Sequence, residues 1–516
     1  MPNPLIEETH GATWHNWHRT GGVGGSVRGI LKPRNRWITG PPDQGRWFEA
    51  GLEGLVSIVR RVQSEGRRVR ALGSAWSLSS VAYVEDYLVD TSALSEWTLG
   101  FSAPMVEAGF ADQRDRMVFA QCGTQIRTLN AHLEQSRLCL PTQGASNGQT
   151  IVGAMSTGTH GSAREVGSIA DFVLGLHIVG EDGAHHWVER ASRPVMTKAF
   201  ADWLGASVVR NDDIFNAAVV GFGSFGLIHG VVFAAEPVFT LSRYVRQSDY
   251  DDVVGAATTL DLAPLALPVP AIPFHFEAVF NPYRRGRGEG GAFIRVYYKI
   301  PLGPDAPLPV PSVDGDATIR SPDLVNVFSF LSDAVPDAVP GLLQGQLEGS
   351  LRPTGNALVT GLPGQIFNDT LPTNGGTSVE LGVPLDRART TLDAIFRVTD
   401  KHRFGAPVAL RYLRPSDALL AFTCHSPTTC TMEMPGIDSA TASMAHRMIF
   451  QELENAGIRA TYHWGQQGSF TAQSVMAGYG TDRVSRWIAA RMAFLPTVAG
   501  RRMFSNAMLE ACGLSV

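Results

Sequence analysis

Apolar positions in AGLEGLVSIVRRVQS, residues 50–64, fall three and four apart, which predicts an amphipathic helix with one buried face. RRVRALG follows at once as a short apolar run ending in glycine, the pattern of a buried strand. MVFAQC (117–122) reads as another strand, and QIRTLNAHLEQSR (125–137) as the helix after it. From Asp171, DFVLGLHIVGEDGAHHWVER alternates, breaks at Asp182-Gly183 and alternates again, a hairpin signal. Side chains alternate along a strand, so His185 and His186 point to opposite faces and do not make a metal pair.

Ala217 to Leu241 opens in helical spacing, crosses a set of glycine turns and ends in an apolar strand. Beyond it the composition changes. Proline gathers in LAPLALPVPAIP (262–273) and PLGPDAPLPVP (301–311), connections at the edges of a second domain. FHFEAVFNPY, GGAFIRVYYKI, TSVELGVP and APVALRYL are strand-like, so the middle region reads as an antiparallel sheet with helices on one face. The last stretch, RWIAARMAFLPTVAGRRMFSNAMLEACGL from Arg486, is mostly helical.

A chain of 516 residues exceeds what one core usually supports and predicts two or three domains. Hydrophobic residues at 44% and charged residues at 18% describe an ordinary folded soluble protein. A net charge of −5 without a long basic run gives no electrostatic ground for a nucleic-acid or membrane partner. The N-terminus has neither the basic nor the apolar segment of a secretory signal, and no apolar run is long enough to cross a bilayer. Five scattered cysteines make no disulfide framework, and CHSPTTC (Cys424 to Cys430) has no second Cys/His pair at zinc spacing. The expectation is a cytoplasmic protein without a metal.

Glycine and hydroxyl residues crowd three places: ALGSAWS (71–77), PTQGASNGQTIVGAMSTGTHGS (141–162) and GFGSFGLIHG (221–230). None is a G-x-G-x-x-G opening a helix after the first strand, and no P-loop is present. Residues this small let a ligand lie against the main chain, whose N–H groups and neighbouring hydroxyls bind a pyrophosphate without a lysine.

GSAWS following a helix and RALG, then MSTGTHGS, then HWG at His463 to Gly465, resemble the vanillyl-alcohol-oxidase-type flavoproteins. HNW at His15 to Trp17, VELGVP (379–384) and MFSNAMLEACGL are similar to the sugar-1,4-lactone and alditol oxidases of that superfamily. The resemblance implies FAD and an α+β architecture in three parts. These are a two-subdomain FAD-binding domain at 1–240, a substrate domain at 241–466, and C-terminal helices at 467–516 that return to the first. The substrate domain would hold the antiparallel sheet flanked by helices. The resemblance also places Leu72, Gly73, Ser74, Ala75, Trp76 and Ser77 against the cofactor. Thr142, Gly144, Gly153, Ala154, Ser156, Thr157, Gly158, His160, Gly161 and Ser162 would line it too, with Gly226 and Ile228 at the adenine and ribose end. His160 is expected to brace the glycine loop rather than act as an acid or base.

Three positions depart from the family. Many relatives carry a first-loop histidine bonded covalently to the flavin; here Trp76 stands there, and an indole N–H is a donor only, so the FAD should be non-covalent. The family's Glu-x-Arg strand pair keeps Arg411 but has Ala409 for the glutamate, and the lysine after HWG is Gln466. Two charges lost from the substrate-binding positions predict a less polar substrate: a partly apolar alcohol, a glycoside or a lactol-like compound. The expected activity is dehydrogenation of a CH–OH group, with hydride passing to flavin N5. Arg411 would stabilise the developing charge, and His463 or Glu380 would take the hydroxyl proton. O2 is the expected electron acceptor, since Gly153 and Ala154 leave it room. The alternatives are a same-fold dehydrogenase with a protein or quinone acceptor, and a degenerate flavin-binding protein.

Overall fold

The computed structural model describes residues 5–20, 22–35, 48–309, 335–355, 357–368 and 375–515. Helix Glu49–Ser64 organises the N-terminal half. Its buried Leu52, Leu55, Ile58, Val59 and Val62 follow the helical repeat, and each such fully buried aliphatic contributes about 1.5–3 kcal/mol. Glu49 in the first turn and Arg61 in the last complement the helix dipole. The helix is wedged between two sheets, touching strand Gly29–Pro33 of one and Leu227–Ala234 of the other. The first sheet runs Ile6–His10, Gly29–Pro33, Tyr87–Asp90, Val69–Leu72, with the last three parallel. The second runs Ser207–Arg210, His185–Glu189, Val173–Val179, Leu227–Ala234, Met117–Gln121, Trp97–Leu99; only its first pair is parallel.

The third sheet is antiparallel throughout and has eight strands. In spatial order these are Val359–Gly361, Phe239–Ser248, Ala292–Pro301, His275–Phe280, Val408–Leu413, Thr429–Ile437, Gly376–Pro384 and Thr461–Tyr462. Helices Tyr250–Thr259, Ala388–Thr399 and Ala440–Asn455 cover one face, burying Val253, Leu392, Ile395 and Ile449 with the strand residues beneath. Helix Val339–Ser350 covers part of the other face, packing Leu343 and Leu347 on Val245, Val279, Phe293 and Ala409, and the rest looks toward the N-terminal sheets. The terminal helices Ala472–Phe494, Val498–Met503 and Ala507–Ala511 pack into the core of those sheets. Asn506 ties them down: its Oδ1 caps its own helix, and its Nδ2 donates to the carbonyls of Ser80, Val81 and Tyr83 at 3.1 Å each.

The α+β architecture expected from the sequence is present, with its antiparallel sheet and helices on one face. One local reading differs. IVGAMST is a helix, Ile151–Thr157, not part of a glycine loop. Thr150 caps it by accepting the Gly153 N–H at 3.2 Å, and Gly158 ends it in the left-handed conformation (φ 89°) that a side chain would strain. Val310 and Pro311 of the second proline-rich stretch lie outside the described residues.

The expected hairpin at Asp182-Gly183 forms, and His185 and His186 take opposite faces: His185 meets His177, His186 meets Ser207. His185 begins a buried chain. His185 Nδ1 to His177 Nε2, His177 Nδ1 to His229 Nδ1, and His229 Nε2 to Gln121 Nε2 are each 3.0 Å. Gln121 Oε1 accepts from the Glu96 N–H at 3.1 Å and from Asn35 Nδ2 at 2.8 Å, so its NH2 must face His229. Each ring then accepts on one nitrogen and keeps its single proton on the other, which requires three neutral imidazoles.

Burial depresses His177 well below the ordinary histidine range and His229 to about 3, and lowers His185 as well. The unfolded chain takes up these protons near pH 6.5, the folded chain only near pH 3 at His229. Their contribution to stability is therefore complete above pH 6.5 and is lost as pH falls below it. At pH 5 His229 alone should remove about 2 kcal/mol. Urea unfolding midpoints should fall between pH 7.5 and 5, above the range where carboxylates titrate. A flat midpoint over that window would refute the neutral chain.

Candidate active site

A cleft of about 1840 Å³, its open mouth included, runs between the N-terminal sheets and the facing side of the eight-stranded sheet. Strand Val69–Leu72 delivers the loop Gly73–Ser77 to its wall. Ala75 sits there in the left-handed region (φ 54°). Among the described residues the N–H groups of Ser74, Ala75, Trp76 and Ser77 meet no protein acceptor. Successive unpaired N–H groups around a left-handed residue form an anion-binding nest. Buried Gln149 Oε1, also without a partner among the described residues, faces the same cleft. Beyond the loop, Val81, Cys122, Val152, Phe222 and Ile228 make an apolar arm. An apolar arm next to a phosphate-sized nest fits FAD.

Most of the expected site residues meet here: Leu72 to Ser77, Gly144, Gly153, Ala154, Ser156, Thr157, His160 to Ser162, Gly226, Ile228, Glu380, Arg411, His463 and Gln466. Three do not line the cleft. Thr142 lies behind Gly161, where an added Cβ would stand 3.1 Å from its Oγ1. Gly158 faces Phe422. Ala409 packs with Val279, Val245 and Leu343 in an apolar cluster.

The cleft side of the large sheet carries a row of charges across five strands. Arg295 Nε donates to Glu277 Oε2 at 2.6 Å, and Arg411 Nε to Glu277 Oε1 at 2.7 Å. Arg411 Nη1 reaches Glu433 Oε2 at 2.5 Å and Glu380 Oε1 at 3.4 Å. Glu380 and Glu433 stand directly opposite each other on adjacent strands, an unfavourable like-charge pairing. Arg411 lies between them, and Gln466 Nε2 bridges them at 2.9 Å to Glu433 and 3.5 Å to Glu380. Ser378 Oγ donates to Glu433 at 3.1 Å.

Burial opposes the charge on Glu277, yet Arg295 and Arg411 hold its carboxyl down at about 2. Burial likewise works against Glu380, but His160, Arg411 and His463 keep it below the usual carboxylate range. Burial lowers Arg411, and Glu433, Glu277 and Glu380 more than reverse that. His463 is pushed by burial to about 4, so its ring is neutral at pH 7. Its Nδ1 accepts the Gly465 N–H at 3.0 Å, which leaves the proton on Nε2. His463 therefore presents a donor rather than a base, the role for which it and Glu380 were the two candidates. His160 Nδ1 faces the Gly161 carbonyl at 2.6 Å and must carry a proton; its Nε2 stands 3.0 Å from Glu380 Oε1, off the line of a straight hydrogen bond.

The expectation of a less polar pocket is not met. Ala409 does lack the family's carboxylate, but Glu433 lies directly opposite Ala409 on the next strand and supplies one to Arg411. Glu277, Arg295 and Glu433 were not singled out in the sequence; alternation in FHFEAVF and TCTMEMP was the available signal. Replacing Gln466 by leucine should leave two facing carboxylates with one bridge fewer and lower stability at pH 7.5 by about 1–3 kcal/mol. A urea midpoint unchanged from wild type at pH 7.5 would contradict this bridging role.

The FAD binding domain family matches residues 51–189. A putative D-arabinono-1,4-lactone oxidase of Neurospora crassa is 29% identical over 188 residues, 36% of this chain and 29% of that protein. An L-gulono-1,4-lactone dehydrogenase of Mycobacterium tuberculosis is 27% identical over 190 residues, 37% of each. These matches span about a third of the relatives' own length. A solvent-stable cholesterol oxidase aligns over all of both chains with a TM-score of 0.70 at 18% identity. The cholesterol oxidase of Brevibacterium sterolicum aligns over 99% of both at 0.70 and 13%. At such identities the structural likeness is one of fold. Residues 51–189 thus match an FAD binding domain, and the whole chain shares the fold of these two oxidases.

Proposed function

We propose that the protein dehydrogenates a CH–OH carbon of a small, hydroxyl-rich molecule, using non-covalent FAD held by residues 1–240. The observation that carries this reading is Arg411, a buried guanidinium fixed by three carboxylates at the floor of the cleft. Its Nη2 makes no protein hydrogen bond among the described residues, so one edge of the fork remains for a ligand oxygen. FAD, when bound, supplies the two-electron acceptor for the hydride. Arg411 orients the substrate oxygen and stabilises negative charge that develops beside it. The hydroxyl proton passes to the lone pair on His160 Nε2, and ionised Glu380, with Oε1 3.0 Å away, stabilises the imidazolium that forms. Nε2–H of His463 donates into the same space. Glu433 and the amide of Gln466 accept and donate to further hydroxyls, so the charged floor favours a polyol or sugar lactone over the apolar alcohol expected from Ala409 and Gln466. The names of the sequence relatives, which act on aldonolactones, support that class.

O2 is the proposed acceptor. The relative named as a dehydrogenase favours a second reading, in which a protein or quinone accepts the electrons. Anaerobic reduction by substrate followed by air separates the two, because an oxidase flavin returns to its oxidised spectrum at once.

The purified protein should be yellow, and acid precipitation should release the flavin to the supernatant. A pellet that stays yellow would refute non-covalent binding. An aldonolactone or alditol should bleach the flavin anaerobically, and a sterol should not; the reverse result would overturn the substrate class. Arg411→Lys keeps the charge that three carboxylates require but loses the planar fork. Flavin reduction should slow about 10²-fold, and a stopped-flow rate near wild type would remove Arg411 from the chemistry.

A further inference from the structure

The N-terminal hairpin, Thr13–His15 paired with Gly24–Ser26, lies against the outer side of the loop Gly73–Ser77. It is anchored on the first sheet: Trp14 stacks on Tyr83 at 6.0 Å and 13°, and the Tyr83 hydroxyl donates to the Ser26 carbonyl at 3.2 Å. Between its strands, the Trp17 N–H donates to the Ala75 carbonyl at 2.7 Å. Asn16 Nδ2 donates to the Ser77 carbonyl at 3.0 Å, and its Oδ1 accepts the Thr20 N–H at 3.1 Å, which fixes the amide's orientation. A trans peptide points its C=O and N–H in opposite directions. With the Ala75 carbonyl tied outward to Trp17, the Trp76 N–H faces the other way, toward the cleft. The left-handed Ala75 is thus held in a conformation that an alanine in a free loop would leave.

The side chains repeat the arrangement. Trp17 is 43% exposed and joins no core cluster, yet it stacks on Trp76 at 5.9 Å and 14°. His18 meets the edge of Trp76 at 5.3 Å and 87°. Trp76 itself lines the cleft.

We propose that Asn16 and Trp17 retain the cofactor by orienting the loop Gly73–Ser77 and the Trp76 ring. They are positioning residues, acting through the loop, and the inference rests on the reading of the cleft as an FAD site. The test uses FAD-loaded protein and follows flavin release as recovery of its fluorescence after dilution. Trp17→Ala and Asn16→Leu should each release FAD about tenfold faster than wild type. Trp17→Phe, which keeps a ring on Trp76, should restore slow release. Because Trp17 is exposed, the unfolding midpoint of the cofactor-free Trp17→Ala protein should equal that of wild type. Release rates within twofold of wild type for Trp17→Ala would overturn the inference while leaving the FAD site intact. Wild-type protein that takes up no FAD on titration would overturn both.

Discussion

Arg411 reaches one carboxylate with Nε and two more with Nη1, all of them on strands next to its own or one beyond. Three carboxylates on one sheet face could not remain ionised out of water without such a partner. The guanidinium in turn stays in one place because it answers to three anchors. The rest of the cleft follows from this lattice. Five strands must keep their register for it to exist, helices must seal the opposite face, and the N-terminal sheets must close over it. The terminal helices, through Asn506, hold the second half of the chain to the first.

Much of the fold was legible because periodicity carries it. The helix at 50–64, the strands around 70, 117, 173 and 230, and four strands of the large sheet stand where the spacing puts them. The misreading at 151–157 has a local cause. Gly153, Ser156 and Thr157 are poor helix formers, but the Thr150 cap and the burial of Ile151, Val152 and Met155 outweigh propensity over two turns. Propensity says nothing of that burial, which only the packed structure supplies.

The loop side of the cleft was readable because its lining residues are consecutive, as at 73–77 and 160–162. The sheet side was readable only at Glu380 and Arg411, because it is assembled across strands. Glu277, Arg295, Glu380, Arg411 and Glu433 come from five strands, and nothing in the chain states their register. A reading confined to VALRYL sees a missing glutamate at Ala409 and infers a pocket short of charge. The neutral tautomer of His463 was equally hidden, since it depends on the N–H of Gly465 folding back to Nδ1.

Ala409 and Glu433 occupy the same row of the sheet, one strand apart. Directly opposed positions of an antiparallel pair hold their Cβ atoms about 4.5–5.5 Å apart, within the reach of a glutamate side chain. A carboxylate on either strand can therefore meet the same guanidinium. What surrounds Arg411 is a property of the rows of the sheet, and no run of consecutive residues records it.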